Sequence, residues 1–118
     1  MIREIKFRAL YCPEKCWHYF TLIDLIIGRA SKESLQYENW CEYTGLEDKN
    51  GKEIYEGDII QINKDIYEVF WDGRWAEFAC KCTSNSLGWY HRGPEKVEII
   101  GNIYENPDLV PNNNEEVV

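Results

Sequence analysis

The stretch Tyr43 to Ile60, reading YTGLEDKNGKEIYEGDII, limits the possible folds of this chain more than any other segment. It holds two strand-like runs around an Asn-Gly turn. A type I turn through Lys49-Asn50, with Gly51 in the left-handed conformation, makes a three-residue hairpin loop. That register sets Asp48 opposite Lys52, a favourable charge pair, and Leu46 opposite Ile54. Gly57-Asp58 then breaks the strand before Ile59 to Ile62, and Asn63-Lys64-Asp65 turns the chain again. The segment has the pattern of short antiparallel strands and carries no phosphate loop.

The flanking sequence continues the theme. Ile5, Phe7 and Ala9 alternate with Glu4, Lys6 and Arg8, the period of a half-buried strand. Pro13 cannot donate to a ladder, so Cys12 to Cys16 reads as a turn, and the apolar run Trp17 to Ile27 pairs back on the first strand. Gly28 to Ser34 is the most loop-like interior segment. Further on, a two-residue Asp72-Gly73 turn predicts Val69 opposite Ala76 and Tyr67 opposite Phe78. These four share an apolar face with Cys80 and Cys82, leaving Glu68, Phe70, Trp75, Glu77 and Lys81 on the other. A last strand carries Val97, Ile99 and Ile103, interrupted by Gly101. The expectation is a mainly β chain of five to seven short strands, a small barrel or meander: an N-terminal β-hairpin region with its loop at 1–36, a small barrel at 37–107, and a flexible tail at 108–118, where Asn-rich sequence has little to bury.

Charge and composition narrow the functional classes. Thirteen basic against 21 acidic residues leave a net charge of −8, and the basic residues never form a run. Nucleic-acid binding draws heavily on phosphate neutralisation by Lys and Arg, so this balance disfavours it. The acidic stretch Glu38 to Asp58 reads as a solvated face. No apolar run is long enough to span a membrane, and the first residues lack the apolar stretch of a signal peptide. Five cysteines, an odd number, then suggest reduced thiols in a cytoplasm.

Four segments together resemble the YopX family of phage and prophage proteins: REIKFRA at Arg3 to Ala9, YTGLEDKNGKEIYEGDII at Tyr43 to Ile60, VFWDGRWAEF at Val69 to Phe78, and EIIGNIYENPDL at Glu98 to Leu109. The resemblance implies a small, mainly β protein encoded by mobile genetic elements and acting in a bacterial host cell. It fits an SH3-like form for the barrel at 37–107. The stretch Cys12 to Gln36 departs from the family pattern, so nothing functional carries over there.

Chemistry-bearing clusters are sparse. Cys12, Cys16, His18, Cys80 and Cys82 offer soft ligands, but Cys80 and Cys82 lie on one strand face with no turn between them, a poor zinc spacing. They read as core thiols. Asp48-Lys49-Asn50-Gly51 opens like a calcium loop, yet Glu53 and Ile59 stand at its sixth and twelfth positions. Neither His18 nor His91 has a Ser or Cys at a recognised catalytic spacing, and Glu56 and Asp58 alternate onto a solvent-facing side. No enzyme activity, metal or cofactor is expected. Trp71 and Trp89 suit a core or rim. Trp75, Tyr90, Arg92, Arg74 and Phe70 form the candidate interaction surface, since Trp, Tyr and Arg anchor protein contacts. The expected role is a non-enzymatic accessory protein that binds protein, including copies of itself, with an edge offered by the strand Arg3 to Ala9. A nucleic-acid-binding module, where aromatics and Arg stack on bases, is the alternative.

Overall fold

The computed structural model describes residues 4–29, 35–82, 86–88 and 96–110. They form nine strands and a short helix: β1 (Lys6–Tyr11), β2 (Cys16–Thr21), α1 (Leu22–Ile26), β3 (Tyr37–Glu47), β4 (Glu53–Tyr55), β5 (Asp58–Ile62), β6 (Asp65–Asp72), β7 (Glu77–Lys81), β8 (Ser86–Gly88) and β9 (Val97–Asn102). Two antiparallel sheets result, one ordered β2-β1-β3-β4 and one ordered β8-β7-β6-β5-β9. The chain is mainly β, as its turn spacing and aromatic content predict.

The second sheet stays open, with β8 and β9 as its edges, so the described strands do not close into the expected barrel. β3 and β4, which closure would recruit, pair instead with the first sheet. β3 continues from its pairing with β1 into the β4 hairpin, so the strand after residue 36 completes the sheet begun by the N-terminal hairpin. Leu46 and Ile54 of that hairpin then pack on Ile60, Ile62, Tyr67, Val69, Cys80 and Val97 of the second sheet, forming the largest core cluster.

β1 lies between β2 and β3. The edge expected at Arg3 to Ala9 is therefore taken up by β3, and β2 and β4 are the edges of that sheet. Trp17 to Ile27 divides between β2 and α1. Thr21 caps the helix, its hydroxyl accepting from the Asp24 N–H while the Asp24 carboxylate accepts from Thr21 N–H. This reciprocal box satisfies donors that a short helix leaves open.

The β3–β4 turn has its predicted register. Glu47 faces Glu53, Gly51 has φ +81°, and Asp48 N–H donates to the Lys52 carbonyl at 2.8 Å. Asp48 is attracted to the Lys52 charge, and its hydrogen bonds go to backbone. Its buried carboxylate accepts from the backbone N–H groups of Asn50 and Lys52 at 2.9 Å and of Ile99 at 3.1 Å. Lys49 N–H also donates to the Val97 carbonyl at 2.8 Å. One side chain thus shapes the turn and fastens β9 beneath it.

The β6–β7 hairpin differs from expectation. Asp72 faces Glu77, Trp71 faces Phe78 and Val69 faces Cys80, so the loop is Gly73 to Ala76 rather than Asp72-Gly73. Asp72 closes the longer loop by accepting the Arg74 N–H at 3.0 Å, and Ala76 supplies the left-handed turn with φ +51°. The slip is by an even number of residues, so Tyr67, Val69, Phe78 and Cys80 keep their shared buried face.

The segment after Pro107 begins as a 3-10 helix, Pro107–Leu109. The rest of the expected tail, 111–118, lies outside the described residues.

Asp48→Ala should destabilise the fold by about 2–3 kcal/mol, because three backbone donors lose a charged acceptor. Burial works to raise the Asp48 carboxyl, but the N–H groups of Ile99, Lys52 and Asn50 outweigh it and hold the carboxyl below its usual range. A depressed folded value contributes stability above the unfolded value and loses it as pH falls through the folded one. The stability gap between wild type and Asp48→Ala, measured by urea denaturation, should therefore be full at neutral pH and shrink below about pH 4.

Candidate interaction surface

The β6–β7 loop is held as a rigid platform. Besides the Arg74 N–H, Asp72 accepts the Arg74 guanidinium at 3.2 and 3.3 Å, and its carbonyl accepts Trp75 N–H at 3.2 Å. The Arg74 hydrogen bond holds the Asp72 carboxyl below its usual range. Trp75 stands 71% exposed on this platform. Trp71, expected in the core or at its rim, is 44% exposed and meets the buried Phe78 ring at a 5.0 Å centroid distance. Its position one pair before the loop leaves too little sheet to cover it.

Of the residues singled out in the sequence, Arg74 and Trp75 therefore share this loop, with Trp71 at its base. Arg74 is engaged by Asp72, so its guanidinium acts first as a loop brace. Phe70 is half-buried on the opposite face of β6, under the Lys81 ammonium at 4.7 Å. Tyr90, Arg92 and Trp89 lie outside the described residues.

A second constellation escaped the alternation pattern. Arg8 and Asp58, both assigned to solvent-facing sides by alternation, are buried against each other at 2.7 Å. The reason is that both faces of β1 are covered. Ala9 packs with Phe20, Leu25, Tyr37 and Trp40 on one side. Arg8 faces the second sheet on the other. Its guanidinium lies 4.5 Å from the Trp17 ring centroid and 4.9 Å from that of Tyr55, which replaces lost hydration with cation–π contact. Asp58 also accepts the Tyr55 N–H at 2.8 Å. Burial raises the Asp58 carboxyl against the pull of Arg8 and that N–H.

The backbone around this pair is tightly determined. Gly57, at φ +90°, donates to the Val69 carbonyl and accepts from Ile103 N–H, each at 2.9 Å. A Cβ there would meet the Tyr104 ring at 3.2 Å. Asn102 organises the following turn by accepting the N–H groups of Tyr104 and Glu105 and donating to the Glu105 carboxylate, which also accepts Trp17 Nε1–H at 3.1 Å.

An opening of about 260 Å³ above Arg8 is lined by Tyr19, Lys52, Glu53 and Tyr55. Its acidic group is engaged: Glu53 accepts from Lys6 and, at 3.0 Å, from the Tyr55 hydroxyl. Arg8 is committed to Asp58. The arrangement is a lock between sheets, with its strongest charges already paired.

The fold and these surfaces define a class: two-sheet antiparallel β proteins pinned by a buried ion pair and presenting exposed aromatic groups from a braced loop. The chain belongs to the YopX protein family, whose model matches residues 6–111. In fold it is similar to protein EF1440 from Enterococcus faecalis, whose crystal structure aligns with a TM-score of 0.59 over 92% of this chain and 99% of that one, at 22% identity. No curated protein sequence matches it. Among the described residues, no helix is long and apolar enough to cross a membrane.

Arg8→Met should cost about 3–5 kcal/mol at neutral pH, because it strands a buried carboxylate. The loss should shrink toward acid pH as Asp58 takes up a proton, and Arg8→Met combined with Asp58→Asn should recover part of it. Thermal and urea denaturation of the single and double variants measure both effects. A double variant less stable than Arg8→Met alone would contradict this assignment.

Proposed function

We propose that this protein is a non-enzymatic accessory protein of phage or prophage, acting in the bacterial cytoplasm by binding protein, including copies of itself. The observation that carries the reading is the exposure of Trp75 on a loop braced by Asp72 and Arg74. A large aromatic side chain on a braced backbone spares a partner the cost of ordering the loop, and such residues dominate protein interfaces. Self-association is supported by a different place. β2 is a sheet edge, and the adjoining Ile23, Ile26 and Ile27 are 67%, 73% and 61% exposed. An unpaired edge flanked by apolar groups suits pairing with a second copy.

Size exclusion with light scattering should show a species larger than the 14.0 kDa monomer. Ile23→Lys with Ile26→Lys should return it toward monomer with little change in melting temperature, since neither side chain is buried. Trp75→Ala should leave assembly intact and weaken capture of a protein partner at least tenfold, a loss of more than about 1.4 kcal/mol. A clean monomer at high concentration that binds single-stranded DNA at micromolar levels would overturn the reading.

A further inference from the structure

The β1–β2 turn gathers three side chains of different chemistry. Tyr11 and Cys16 close the hairpin as a cross-strand pair, and Lys15 N–H donates to the Tyr11 carbonyl at 2.7 Å. Lys15 takes a left-handed conformation with φ +54°. This compact turn brings the Glu14 carboxylate to 3.8 Å from the Cys16 thiol. His18, two residues along β2, lies on the same sheet face as Cys16. One ligand atom from each of Glu14, Cys16 and His18 lies within 4.8 Å of the other two.

His18 is independently held in place. The Tyr11 ring stacks on it at 4.6 Å with planes 16° apart, and the Tyr37 hydroxyl lies 2.9 Å from Nδ1. In the tautomer whose Nδ1–H donates to the Tyr37 hydroxyl, Nε2 carries the free lone pair. A hydrogen bond that orients the ring through its other nitrogen is the arrangement metal-binding histidines use.

We propose that Glu14, Cys16 and His18 form a binding site for a zinc-class divalent cation, with a fourth position open to water. The donor set is one thiolate, one imidazole and one carboxylate, which suits a borderline-soft ion better than calcium or magnesium. Zinc bonds of about 2.0–2.3 Å place tetrahedral ligand atoms about 3.3–3.8 Å apart. The group needs to contract by about 1 Å from its 4.8 Å span, within reach of side-chain rotation by the exposed Glu14. Of the soft ligands that spacing singles out, Cys16 and His18 belong to this group, whereas Cys12 contacts the Leu10 carbonyl and Cys80, with Cys82 against it, lies in the core of the other sheet. The site joins the turn to β2 and lies apart from the Trp75 loop.

Cobalt(II) titration of the full chain under reducing conditions tests this. A near-ultraviolet thiolate-to-cobalt charge-transfer band should saturate at one ion per chain and disappear when zinc is added. Cys16→Ser should abolish the band, His18→Gln should weaken cobalt binding at least tenfold, and Cys12→Ser should leave both unchanged. Circular dichroism of each variant checks that the fold persists. Absence of the band at millimolar cobalt, or a band that survives Cys16→Ser with the fold intact, would overturn the proposal.

Discussion

The Arg8–Asp58 ion pair is the buried charge contact between the two sheets, beside the apolar core that Leu46 and Ile54 share with the second sheet. It joins β1, second from the β2 edge of the first sheet, to β5, second from the β9 edge of the other. Replacing such a pair with apolar groups often costs little, whereas losing one partner costs a great deal. Its importance therefore lies in alignment. Arg8 finds Asp58, Trp17 and Tyr55 together only when β1, β2 and the β4–β5 turn are correctly placed. Gly57 completes the fit by allowing Tyr104 to approach the turn closely. The Asn102 turn then ties the chain's last strand to Trp17 through Glu105.

Much of the fold is legible in local signals. Asn50-Gly51 specifies a turn with its register, because only a few residue types accept the left-handed conformation readily. The two-residue turn at Asn63-Lys64 is legible for the same reason, and Asn63 has φ +56°. The β6–β7 loop is less so. Its left-handed residue is Ala76, which no propensity marks, and Asp72 can cap a longer loop as well as a shorter one. Alternation survived that slip because an even displacement preserves the faces.

What alternation cannot show is whether a second layer covers the polar face of a strand. Arg8 looks solvent-exposed beside Glu4 and Lys6 until the β4–β5 turn is laid over it, and Asp58 looks exposed for the same reason. Trp71 takes the rim place of the two that its residue type suggests, part-covered by Phe78 near the end of its strand. Trp75 and Arg74 stand out by residue type alone; their place in a four-residue loop does not, because a two-residue Asp72-Gly73 turn sets them on a strand. The grouping of Glu14 with Cys16 and His18 is not legible. It depends on a left-handed Lys15 and on Tyr37, which arrives from a distant strand.

The pairing of β5 has a kinetic consequence. On one side β5 meets β6 through a two-residue turn. On the other it meets β9, with Ile62 opposite Val97. The first contact closes a tiny loop, while the second must bring together segments separated by the whole of β6, β7 and β8. Hairpins of the first kind form in about microseconds, whereas distant pairing is delayed by the entropy of loop closure. The β5–β6–β7 meander therefore offers an early nucleus, and β9 docks late, when Asp48 and the Asn102 turn have acceptors and donors ready for it. Substitutions in the Asn63-Lys64 turn should act mainly on the folding rate, and those at Asn102 mainly on the unfolding rate.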